Sequence, residues 1–163
     1  MAAMHSLAKS KTGLIAALKT AYPKLKFQKG QSFVWSPTDA TVHYTSARDD
    51  TFAYSLLHEV GHALLEHSTF KSDLDLLKLE RDAWDMAVEL SAAYSVEIPD
   101  EHIEHCIDTY RDWLYARSLC PNCKQCGLQT SKTMYQCVFC SHAWIVSESR
   151  LCKVTRRSIK KNS

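Results

Sequence analysis

The stretch His58-Glu59-Val60-Gly61-His62 constrains this 163-residue chain more than any other. With eight histidines and eight glutamates in the chain, an HExxH pattern would arise by chance about 0.02 times. The pattern asks for a helix, because only there do residues four apart share a face. Leu56, Leu57, Ala63, Leu64 and Leu65 supply apolar flanks that would bury such a helix. The spacing predicts it from a cap at Asp49 or Asp50 to about His67. Gly61 costs a helix about 1 kcal/mol relative to alanine, so a neighbour is expected to approach closely there.

Two imidazoles on one face can reach one zinc ion. Zinc brings the pKa of a bound water to around 7, and Glu59 is placed to take the proton as general base. A third protein ligand is needed. Glu66 and His67 sit too close along the same predicted helix. Glu80 lies on a third predicted helix, about 73–95, with Leu76, Leu77, Ala83, Trp84 and Ala87 at helical spacing around it. A carboxylate in an apolar stripe needs a partner, and a metal is a natural one. Glu89 is the rival ligand, and a surface ion pair with Arg81 is the alternative role for Glu80. Tyr54, Tyr94, His102 and His105 are candidates for assisting at the scissile carbonyl, although His102 and His105 flank acids on a predicted polar face.

The cysteines add a second constraint. Seven cysteines in this length give about 0.3 CxxC pairs by chance, and three occur: Cys120/Cys123, Cys123/Cys126 and Cys137/Cys140. Two such turns joined by a short polar stretch predict a zinc ribbon with four thiolates on one structural ion. Cys120, Cys123, Cys137 and Cys140 are the expected ligands, with Cys126 replacing Cys120 as the alternative. The Gly after Cys126 is common behind a knuckle's second thiol. Cys106 falls on an apolar helix face and Cys152 in a basic tail.

The remaining segments complete an α+β reading. Residues 5–21 predict an amphipathic helix stopped by Pro23. Phe27, Phe33, Trp35, Val42 and Tyr44 predict a small antiparallel sheet. Pro99-Asp100 opens a fourth helix, and helical period ends after Ser118. Residues 71–113 carry twelve acids against four bases, and residues 114–163 nine bases against one acid. That shift predicts a boundary near 115 and an acidic partner for the C-terminal part. The expected organisation is a minimal zincin-like domain over 1–117, a zinc ribbon over 118–147 and a disordered basic tail over 148–163. Tyr135, Phe139 and Trp144 interleave with bases, which suits nucleic acid or a ribbon core. The longest apolar run, Leu14 to Leu18, is too short for a membrane span or signal peptide, so the expected location is the cytoplasm.

HEVGHALLEH followed by LERDAWDMAVEL resembles the ImmA/IrrE family of metallopeptidases. Their HExGHxxL helix is followed by an ExxAxxFA helix whose first Glu completes the zinc site. The resemblance spans roughly residues 10–98. It implies His58, His62 and Glu80 as zinc ligands, Glu59 as base, and Ala83 and Ala87 as packing alanines. It also implies an edge strand for substrate, here Thr41 to Thr45. Trp84 stands where the family often has Asn, and Val96-Glu97-Ile98-Pro99 replaces its Leu-Leu-Met-Pro helix ending. These departures bear on the substrate cleft. SprT-type proteases also carry a C-terminal zinc module, but they use a histidine as third ligand and none is well placed here. The implied function is cleavage of a specific regulatory protein, such as a transcriptional repressor, by a zinc-activated water. The alternative is a regulatory zinc protein whose basic ribbon docks on nucleic acid or a partner protein, with little peptidase activity.

Overall fold

The structure, a computed structural model, describes residues 10–46, 51–150 and 152–159. The fold is α+β. Helix α1 (Lys11–Ala21) starts at Ser10, whose hydroxyl accepts the Gly13 amide at 3.0 Å. The expected helical residues 5–9 lie outside the described residues. Strands β1 (Lys26–Lys29), β2 (Val34–Ser36) and β3 (Thr41–Tyr44) follow. Helix α2 (Phe52–Leu64) carries the HExxH stretch. Its expected Asp49 or Asp50 cap also lies outside the described residues. Helix α3 (Asp73–Ser91) passes into a 3₁₀ turn, Ala92–Tyr94, and Ser95 ends the run at φ 54°. Helix α4 (Asp100–Ser118) begins after Pro99. Strands β4 (Gly127–Ser131), β5 (Met134–Cys137), β6 (Ala143–Val146) and β7 (Arg156–Ser158) close the described chain.

The first sheet departs from the expected antiparallel arrangement. Its order is β1-β3-β2; β2 pairs antiparallel with β3, but β1 pairs parallel. The strand expected at the edge, Thr41 to Thr45, is therefore the central one, and β2 is an edge. Burial explains the order. Thr41 and Val42 are enclosed and need neighbours on both sides, whereas β2 has only three residues and exposes Val34. Helix α2 also ends earlier than expected. Glu66 takes φ 55°, which no helix continues through.

Contacts gather the chain into two compact units, and α3 and α4 each contribute to both. The first holds the described residues up to Thr69 with Leu79–Ile103. The second holds Phe70–Lys78 with the described residues from Glu104 onward. In the first unit, Leu14, Leu18, Val42, Leu56, Leu57, Val60, Ala83 and Ala87 form the buried core. Gly61 sits against Ala83: a Cβ at position 61 would lie 2.5 Å from the Ala83 carbonyl oxygen. The close approach expected at that glycine is the contact of α2 with α3.

In the second unit, β4-β5-β6-β7 make an antiparallel meander. Trp144 and Tyr135 stack at 5.7 Å within its core, while Phe139 is 72% exposed. Two of the three interleaved aromatics are thus core residues. Strand β7 lies within the basic segment expected to be disordered. The start of α3 is capped reciprocally: Ser72 Oγ accepts the Asp75 amide at 3.1 Å, and the Asp75 carboxylate accepts the Ser72 amide at 3.2 Å. Asp73, behind that cap, is buried. Its carboxylate accepts from Arg117 Nε and from the Tyr135 hydroxyl, each at 2.5 Å, and from Gln129 Nε2 at 3.2 Å. Arg117 also donates to the carbonyls of Lys132 and Ser147. None of these long-range partners stands out in the sequence.

Among the described residues, no helix is long and apolar enough to cross a membrane.

Candidate metal centres

The first unit brings His58, His62 and Glu80 together. His58 Nε2 stands 3.1 Å from His62 Nε2 and 3.2 Å from Glu80 Oε2, and His62 Nε2 stands 3.5 Å from that oxygen. Donors bound at about 2.1 Å to one ion at tetrahedral angles stand about 3.4 Å apart. The three atoms therefore fit three corners of such a site. The helix period of α2 aligns the histidines, and the Gly61–Ala83 contact lets α3 come close enough to add Glu80. Glu89 is exposed on the same helix and does not join them.

The electrostatics suit a cation. Burial alone would raise the Glu80 carboxyl, but hydrogen bonds from His58 and His62 hold it well below the usual carboxylate range. Desolvation pushes Glu59 up, with His58 and His62 pulling the other way. Glu59 is held by an edge strand: the Trp35 amide donates to its Oε2 at 2.7 Å. His58 lies against the Trp84 ring, with centroids 4.2 Å apart. Trp84 thus backs the His58 ring from the position where the family that the sequence resembles often has Asn.

Sequence reasoning rejected His67 as a ligand and missed what it does instead. Its Nδ1 lies 2.9 Å from His62 Nδ1, on the side of that ring away from Glu80. Burial, then the neighbouring His62, hold His67 below the usual histidine value. Of the groups considered for assisting at a carbonyl, His102 sits edge-on to Trp84 at 5.5 Å and to Tyr54 at 5.2 Å. His105 is exposed, and Tyr94 is buried beside Tyr22. A cleft of about 670 Å³ opens along Trp35, Ala63, Leu64 and Glu66.

The second unit brings Cys120, Cys123, Cys137 and Cys140 together. Sulfur separations are 3.4 Å for Cys123–Cys137, 3.5 Å for Cys123–Cys140 and 3.7 Å for Cys120–Cys140. Four thiolates at about 2.3 Å from one ion stand about 3.8 Å apart, so the set is close to a tetrahedral site. The Cys120/Cys123 and Cys137/Cys140 turns are each followed by a residue with positive φ, Lys124 at 64° and Ser141 at 56°. Asn122 Nδ2 donates towards Cys140 Sγ, and that thiol is held down at about 6 by this bond first. Cys126 is exposed and stands outside the cluster. The glycine behind it serves packing: a Cβ at Gly127 would meet the Trp144 ring at 2.4 Å.

Comparison of the chain with protein-family models, curated proteins and solved structures returns no match.

Proposed function

We propose that the chain is a zinc metallopeptidase of the ImmA/IrrE type, with one catalytic and one structural zinc. The observation that carries this reading is the convergence of His58, His62 and Glu80 beside a half-buried, strand-anchored Glu59. Zinc in that site would supply a Lewis acid for the scissile carbonyl and lower the pKa of water. Glu59 takes the proton of the water whose oxygen bonds to the carbonyl carbon. It then gives that proton to the amine nitrogen as the C–N bond breaks. The Trp35 amide keeps the carboxylate aimed while it is ionised. The Cys120, Cys123, Cys137 and Cys140 set holds the structural ion. The family resemblance points to a regulatory protein as substrate and to the cytoplasm, where thiolates persist.

The test uses a proteome-derived peptide library with labelling of new N-termini. Wild-type protein with zinc is expected to produce them, chelator to stop them, and Glu59→Gln to slow them by about 10²–10⁴-fold with both metals retained. Two bound metals with no cleavage would favour the regulatory zinc protein instead.

A further inference from the structure

We infer that His67 is a positioning residue for His62, accepting the proton that fixes which nitrogen His62 offers to a metal; this rests on the metal site proposed above. A neutral imidazole carries one N–H. For His62 Nε2 to present its lone pair beside His58 and Glu80, the proton must sit on Nδ1. The group 2.9 Å from that Nδ1 is His67 Nδ1, a normal hydrogen-bond distance, with the two rings crossed at 70°. His62 therefore donates and His67 accepts, with its own proton on Nε2. Metal-ligating histidines usually give this second N–H to a carboxylate or a carbonyl. Here another imidazole fills that place.

The chain builds this contact deliberately. Glu66 at φ 55° turns the backbone sharply after α2, so His67 folds back over the last turn. The His67 amide donates to the His62 carbonyl at 3.0 Å. The His67 carbonyl accepts the Trp35 indole N–H at 2.8 Å. His67 is thus pinned through both backbone groups, and one of the pins is the residue whose own amide holds Glu59. Trp35 ties the base and the outer support of a ligand to one strand. His58 has no such support: its Nδ1 is buried without a hydrogen-bond partner among the described residues.

The experiment is a competition titration of zinc against a chromophoric chelator, following the binding phase that Glu80→Ala abolishes. His67→Ala is expected to weaken that phase 10- to 100-fold and leave the thiolate phase unchanged. His67→Asn, which places an amide oxygen where Nδ1 stood, is expected to stay within about threefold of wild type. That rescue separates acceptance of a proton from simple filling of space. If His67→Ala does not fold, Trp35→Phe removes the indole pin, and an affinity loss of about 10-fold is expected, with wild-type affinity in that variant overturning the inference. Equal affinity in His67→Ala and wild type would overturn the inference alone, as would a His67→Asn as weak as His67→Ala. A wild-type chain with no Glu80-dependent phase would overturn the metal site and this inference with it.

Discussion

Asp73 and Arg117 stand 44 residues apart in sequence and form a buried ion pair, Nε to Oδ2 at 2.5 Å and Nη2 to Oδ1 at 3.1 Å. The pair ties the first residue of α3 to the end of α4. Because Tyr135 and Gln129 donate to the same carboxylate, the strands of the second unit are tied in as well. The guanidinium also lies 4.3 Å from the Trp113 ring. Removing one partner strands a charge out of water. Asp73→Ala is expected to destabilise the chain by about 3–5 kcal/mol in urea unfolding. Arg117→Lys should also be poorly tolerated, since an ammonium cannot reproduce the fork of bonds. A loss below about 1 kcal/mol for Asp73→Ala would mean that the pair is not an anchor.

Gly61→Ala tests the contact between α2 and α3. Helix propensity alone predicts a gain of about 1 kcal/mol. The new Cβ would stand 2.5 Å from a backbone oxygen, which cannot move without its helix. The expected outcome is a net loss of about 1–3 kcal/mol by thermal or urea unfolding. Ala83 follows Glu80 by one helical turn, so the same substitution should also weaken metal binding at the histidine pair.

Glu80→Ala is expected to lose metal from the histidine site, since two imidazoles remain, while the cysteine site keeps its own. Glu89→Ala should change neither, because that carboxylate is exposed. Metal content after dialysis distinguishes them. Loss in Glu89→Ala with retention in Glu80→Ala would move the ligand.

Alkaline pH should destabilise the fold. Burial, followed by the neighbouring Tyr22, pushes the Tyr94 phenol up to about 12, and burial with the Asp73 bond raises Tyr135. An unfolded tyrosine releases its proton at about 10. Between these values the folded chain holds protons that the unfolded chain has lost. Stability is therefore fully present below pH 10 and falls as pH rises towards 12. Urea midpoints across this range should fall, and less steeply in Tyr94→Phe.

The parts of this molecule legible in its sequence are those with local spacing. His58 and His62 needed only the helix period, and Glu80 stood out through its apolar neighbours. The three CxxC pairs marked the cysteine cluster but offered Cys126 as an alternative to Cys120. What was not legible depends on chain reversals without a sequence signal. Nothing at Glu66 announces a left-handed turn, where Gly or Asn would, so a helix was expected through His67 and the His62 contact was hidden. The order of the first sheet depends on which strand is buried on both sides, and short strands of similar composition do not reveal that. Asp73 and Arg117 are 44 residues apart, and no spacing in the sequence links them.

The short edge strand β2 has a consequence for how the protein meets other chains. An antiparallel edge presents outward amides only at alternate residues, and in β2 the one directed away from β3 belongs to Trp35. That donor is already taken by Glu59. A foreign strand cannot zip onto this border through Trp35 without first displacing the carboxylate. The Glu59 carboxylate therefore caps the outward donor of this border, and the bond between them stands in the way of edge-to-edge pairing at Trp35.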